Sequence, residues 1–232
     1  VVVRYLSNGD LDSTFDSDGR AVTSGEITYG YALAIQNDSR IVIAGNVWTG
    51  SKYDIAIVRL QSNGSMDNSF DGDGKRFVSV SPDADIRGLA LQPDGRIVVA
   101  GRGGNEFLVA RLNATGSLDT AFDGDGMARP PTGSGSDRAY DVAIQADGKI
   151  VAVGSAFNGD SNDFLVRRFL TNGELDPEFG EDGKAQAAFY SYSAESAYTA
   201  ALQTDGKILA AGDSFGVMRF RSDGTLDTTF DA

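Results

Sequence analysis

LQPDGRIVVAG, residues 91 to 101, decides the fold, because versions of it return as IQNDSRIVIAG at 35 to 45, IQADGKIVAVG at 144 to 154 and LQTDGKILAAG at 202 to 212. In each copy apolar residues alternate into an Asp-Gly-type turn and out again. That is the period-two signature of a β-hairpin, and the turn residues predict a two-residue loop at its tip. A second element recurs as LDSTF, MDNSF, LDTAF, LDPEF and LDTTF, closing on Phe15, Phe70, Phe122, Phe179 and Phe230 at intervals of about 51 to 57 residues.

A period of roughly 40 to 55 residues points to propeller blades. Each unit offers about four strands in hairpin order, for instance YALAIQ, RIVIAG and DIAIVRLQ, with the LDxxF segment as a short strand or turn closing the hairpin, which is how such blades are built. The chain therefore reads as one all-β domain, residues 1–232. It comprises an N-terminal half-blade over about 1–15 and four units over about 16–70, 71–122, 123–179 and 180–232. A ring sealed by strand exchange would not repeat VVVRYL and LDSTF at one end as FGVMRF and LDTTF at the other. The expectation is an arc of a larger propeller, completed by flanking sequence or by another chain. The start at Val1 inside a strand pattern reads as an excised or processed piece.

The order GLALQPDGRIVVAG, FLVARLNATGSLDTAF and DGDG resembles the delta-sixty repeats of bacterial β-propeller proteins and, more distantly, NHL-type blades. The likeness runs over essentially the whole chain. It implies a module of a large secreted or surface protein and brings no catalytic residue with it.

Charge and composition narrow the function. Lys plus Arg is 20 against Asp plus Glu 33, a net charge of −13, and such a field repels phosphate backbones. Nucleic acid is not an expected partner, and no run is long and apolar enough for membrane insertion. There is no Cys and no His, which removes the commonest general base and the preferred ligand for zinc or copper.

Three polar features recur. Arg59 and Arg111, like Arg4, Arg168 and Arg219, sit in apolar strands five residues before a turn glycine; pairing with the aspartate of LDxxF, Arg59 with Asp67 and Arg111 with Asp119, is the expected structural role. Gln36, Gln92, Gln145 and Gln203 end the strand before the first turn and are expected to cap backbone groups. Acidic loops follow the phenylalanines: Asp16 and Asp18, Asp71 and Asp73, Asp123 and Asp125. They read as Asp-Gly turns with calcium as the alternative, and no other cofactor is expected, since a calcium cage needs six to eight oxygens.

Hairpin geometry puts the invariant turns on one face and the connections of varying length on the other. The second face would carry Trp48, Tyr53, Phe157, Tyr190 and Tyr192 as ligand-binding residues, a layout suited to a protein or glycan partner. The reading is a non-catalytic, extracellular or cell-surface module for binding, adhesion or scaffolding in a larger bacterial protein. The alternative is a propeller hydrolase or lactonase with a metal in the central channel. That would need convergent carboxylates on the inner strands, where Asp141 is the only acid in the patterned segments.

Overall fold

β-branched and aromatic side chains dominate the patterned segments and suit a pleated, half-buried surface. The computed structural model describes residues 1–23, 28–131, 136–188 and 194–230. A short pair, β1 (Val2–Val3) and β2 (Arg20–Ala21), opens the chain. The first blade is β3 (Tyr29–Ile35), β4 (Ile41–Trp48), β5 (Tyr53–Leu60) and β6 (Lys75–Val78). The second is β7 (Ala84–Leu91), β8 (Ile97–Gly103), β9 (Glu106–Leu112) and β10 (Met127–Ala128). The third is β11 (Arg138–Ile144), β12 (Ile150–Phe157), β13 (Asn162–Phe169) and β14 (Lys184–Ala187). The fourth has β15 (Ala197–Leu202), β16 (Ile208–Gly212) and β17 (Val217–Phe220). Every blade is an antiparallel meander, and β3, β7, β11 and β15 pack side by side as the inner strands.

One expectation about local structure changes. The hairpin tips are three-residue loops rather than two-residue ones: Gln92 N donates to Arg96 O and Gly95 N to Gln92 O. Positive φ falls only on the third loop residue, as at Gly95 and Ser39, whereas a two-residue type I′ turn needs it at both central positions. Of the short strand or turn expected for the LDxxF segments, the structure forms the turn, which touches the sheet through one bridge, such as Leu60 with Met66. The fourth strand comes from the residues after the acidic loop, so each sheet is offset from the sequence unit that precedes it.

The core lies between blades. Phe70 joins Val42, Ile55 and Ile57 of the first blade with Ile86, Ile97 and Leu108 of the second, and Phe122 and Phe179 repeat the arrangement at the next two junctions. Phe15 packs the N-terminal pair onto Ile41, Val58 and Leu60. Middle strands are thus sandwiched on both faces, which is why β4 is buried from Ile41 to Val47. Each phenylalanine so enclosed contributes about 1.5–3 kcal/mol by removal from water. Phe15, Phe70, Phe122 and Phe179 are fully buried, but Phe230 is only half-buried.

The recurring arginine binds these parts together. Arg59 Nε donates to Asp67 Oδ2 at 2.6 Å and Arg111 Nε to Asp119 Oδ2 at 2.7 Å, both pairs buried. The two guanidinium groups lie 4.7 Å over the rings of Phe70 and Phe122. Burial raises the Asp67 carboxyl, yet hydrogen bonds from Ser69 and the Arg59 charge outweigh it and hold Asp67 below the ordinary carboxylate range.

Candidate functional site

Each inner strand carries a β-bulge at the same place. Pairing runs Gly30 with Gly45 and then Ala32 with Ala44, Ile86 with Gly101 and then Gly88 with Ala100, Ala139 with Gly154 and then Asp141 with Val153, and Ala197 with Gly212 and then Thr199 with Ala211. The extra residues are Tyr31, Arg87, Tyr140 and Tyr198. A bulge re-aims its side chain and interrupts the ladder, so four large side chains stand at the same place on the four inner strands, near the end that the variable connections join.

The closing glycine of each IVIAG-type stretch is what admits the bulge. A Cβ on Gly101 would lie 2.1 Å from Asp85 O and one on Gly154 1.8 Å from Arg138 O. Only glycine lets the bulged backbone come that close.

Around this row the polar groups are arranged with defined partners. The Arg87 guanidinium lies 3.8 Å over the Tyr31 ring, and Tyr140 meets Tyr198 edge-on at 4.9 Å. Arg87 Nε donates to Asp85 Oδ1 at 2.8 Å, and Arg138 lies 3.1 Å from the other oxygen of Asp85. Burial disfavours the Arg87 charge, but the hydrogen bonds and charge of Asp85 prevail and raise its pKa. Burial also raises the Tyr198 hydroxyl, assisted by Asp213, to which it donates at 3.0 Å. Asp85 itself sits on β7, because that strand starts before the apolar pattern does. The inner strands therefore hold a second acid besides Asp141.

Sequence-derived candidates fall around this row. Trp48 and Tyr53 pack with ring centroids 4.9 Å apart, and Tyr53 lies 5.9 Å from Tyr29. Tyr53 shares a shallow pocket with Tyr29, Tyr31, Asp83, Asp85 and Arg102. Phe157 lines a neighbouring pocket with Arg138, Tyr140 and Asn162, and the Arg138–Asp85 ion pair joins the two. Tyr190 and Tyr192 lie outside the described residues. Tyr31, Arg87, Tyr140 and Tyr198 escaped the sequence reading although each stands five residues before the recurring glutamine, because period-two alternation assigns no direction to a bulged residue.

The acidic loops are built as turns. Asp18, Asp73 and Asp125 each accept the backbone N–H two residues on, at 2.8 to 2.9 Å. Asp16, Asp71 and Asp123 take positive φ and donate their own N–H groups to the next blade's turn. Among the described residues no group of three or more acids is placed to hold a metal ion. Gln36, Gln92 and Gln145 do not act as caps through their oxygens: Oε1 of each is buried with no hydrogen-bond partner among the described residues.

The family of β-propellers described as "domain of unknown function (DUF5122)" matches at residues 36–70, 92–122, 145–179 and 203–230, more than half of the chain. The chain belongs to this β-propeller family. The four matched segments each run from the glutamine through the second and third strands to the phenylalanine, so the bulged inner strands lie outside them. No curated protein matches the chain. Among solved structures, hydrazine synthase of Kuenenia stuttgartiensis aligns with a TM-score of 0.50 at 13% identity, covering 89% of this chain and 33% of that one. A candidate gluconolactonase gives 0.47 at 14% identity over 87% of this chain and 61% of that one. Virginiamycin B lyase of Staphylococcus aureus gives 0.46 at 13% over 85% and 58%. The DUF5122 chain thus spans less than two thirds of the length of each of these proteins, and at such identities the likeness is one of fold.

Proposed function

We propose that this DUF5122 propeller is a non-catalytic binding module whose ligand contacts are the bulged residues Tyr31, Arg87, Tyr140 and Tyr198 with Trp48, Tyr53 and Phe157 beside them. The observation that carries this reading is the bulge repeated in all four inner strands, which turns aromatic or guanidinium planes toward the same face. Aromatic planes next to carboxylates and arginines suit the apolar faces and hydroxyls of a glycan, and the same surface could be met by a protein loop of that chemistry. The likeness to delta-sixty repeats supports an extracellular or cell-surface setting in a larger bacterial protein, with scaffolding or adhesion as the role.

The hydrolase reading is weaker because the inner-strand acids are already engaged. Asp141 Oδ2 accepts from Thr199 Oγ1 at 3.0 Å and from Ala200 N at 2.9 Å, tying the third blade to the fourth, and Asp85 is held by Arg87 and Arg138. Neither carboxylate is left to orient a metal or a water. The test is a glycan array followed by titration calorimetry on Tyr31→Ala and Tyr140→Ala. Loss of about tenfold or more in affinity for each supports the proposal; unchanged binding by both, or turnover of a lactone by the wild type, refutes it.

A further inference from the structure

Asp85 gathers more cations than one carboxylate can serve. It is buried on β7, and both of its oxygens are taken. Oδ1 accepts from Arg87 Nε at 2.8 Å and from Asn46 Nδ2 at 3.2 Å, while Oδ2 accepts from Arg87 Nη2 at 3.2 Å and stands 3.1 Å from Arg138 Nη2. An ionised carboxylate offers about four lone-pair sites, so the group is saturated. Arg102, which faces Asp85 across the ladder between β7 and β8, is the cation left over. Its Nε is 3.9 Å from Oδ2, outside hydrogen-bonding distance, and is buried without a hydrogen-bond partner among the described residues. The one hydrogen bond that its guanidinium makes among those residues runs from Nη1 to Gly104 O at 3.1 Å.

This uncompensated charge sits in the ligand row. Arg87 and Arg102 line the pocket shared with Tyr29, Tyr31 and Tyr53, and Arg138 lines the pocket beside it with Tyr140 and Phe157. The three side chains keep 24 to 33% of their surface exposed, so an incoming group can reach them. Two carboxylates oppose them, Asp85 and Asp83, and Asp83 Oδ1 already accepts from Tyr53 N at 2.6 Å. Over the whole chain acids outnumber bases by 33 to 20. Here three guanidinium groups meet two carboxylates, and the local balance is the reverse of the global one. Arg102 and Arg138, from neighbouring blades, approach the same oxygen of Asp85, so both stand within reach of one further anionic group.

We propose that the ligand of this row is an acidic saccharide of the uronic-acid type, its carboxylate met by Arg102 and Arg138 and its ring packed on the tyrosines of the first blade. This rests on the reading of the row as a binding face and adds the charge class of what it binds. A ligand carboxylate supplies the acceptors that Asp85 no longer has, and the planar guanidinium matches a planar carboxylate with paired N–H donors. The rings of Tyr29 and Tyr31, stacked with centroids 5.9 Å apart, offer the apolar surface that a sugar ring covers. A neutral sugar would meet the same rings and leave the excess cation uncompensated.

A glycan array printed with matched sets tests this: uronic-acid oligosaccharides, the same oligosaccharides reduced at the carboxyl to neutral sugars, and sulfated forms of the neutral sugars, with affinities then measured by titration calorimetry. The wild type should bind the acid at least about tenfold more tightly than its reduced partner, as expected for a hydrogen bond between charged groups. Arg102→Gln should abolish that preference with circular dichroism and melting unchanged, since Arg102 takes no part in the hydrogen bonds of Asp85. Arg129→Gln, which removes the same charge from the ion pair with Asp125, should keep it. The wild-type preference is read without any variant, so it decides the matter even where Arg102→Gln does not fold. Equal binding of acid and reduced forms, tighter binding of sulfated than of carboxylated forms, or an acid preference that Arg102→Gln retains overturns the proposal. Neutral sugars bound as well as acidic ones and lost in Tyr140→Ala overturn this inference alone, whereas the absence of any glycan bound overturns the binding reading with it.

Discussion

Gly101→Ala tests the link between the sequence repeat and the site. The added Cβ would stand 2.1 Å from Asp85 O, 2.7 Å from Ile86 Cα and 2.9 Å from Asp85 C. All three are backbone atoms, so no rotamer relieves the overlap. The β7 backbone must withdraw by roughly 1 Å, which flattens the bulge at Arg87 and strains the bond from Ile86 N to Asn46 Oδ1, now 2.9 Å and buried. Overpacking of this kind costs about 1–3 kcal/mol, and a buried hydrogen bond left unmade costs about 1–3 kcal/mol more. The expected loss is about 2–6 kcal/mol in urea unfolding at constant m-value. Gly30→Ala is the control: it lies in the equivalent inner strand of the first blade, and its Cβ would meet only Ile43 Cγ2, at 3.3 Å, so a cost of less than about 1 kcal/mol is expected for so slight a contact. If Gly101→Ala cost less than about 1 kcal/mol, or no more than Gly30→Ala, the bulge would not be what requires the glycine.

Phe70→Ala and Phe122→Ala should each cost about 3–5 kcal/mol by equilibrium unfolding, whereas Phe230→Ala should cost less than about half as much, because its ring is already partly in water. Calcium removal should leave folding intact: a melting curve in chelator should superimpose on one in millimolar calcium, and a drop of many degrees would locate an ion at the acidic loops, to be mapped with Asp71→Asn and Asp73→Asn. Acid should destabilise the junctions. Hydrogen bonding to Thr229, together with the Arg219 charge and against the opposing effect of burial, takes Asp227 down to about 2, and Asp67 and Asp176 are lowered as well. A depressed carboxylate stabilises the fold above its unfolded pKa near 4 and loses that contribution as pH falls through the folded value. The melting temperature should therefore fall between about pH 4 and pH 2, and Asp67→Asn should be less stable at neutral pH and show a shallower acid slope.

The sequence by itself determined the architecture, since a hairpin pattern repeated at blade spacing needs no distant information: LQPDGRIVVAG and its three relatives encode strand, turn and strand locally. It also determined which arginine meets which aspartate, because Arg59 and Asp67 lie on either side of one tight turn and are joined at 2.6 Å. Tertiary structure decided the rest. The fourth strand of each blade comes from residues whose glycines and aspartates suggest only a loop, and it pairs because a finished third strand offers it an edge. The binding row depends on a one-residue slip between neighbouring strands, which shows in the sequence only as an unexplained glycine, such as Gly101, opposite an unexplained Tyr or Arg. Whether a recurring phenylalanine is core depends on a neighbour that its own repeat does not contain: Phe70 is buried because the second blade closes over it, and Phe230, in the same local sequence, stays half in water.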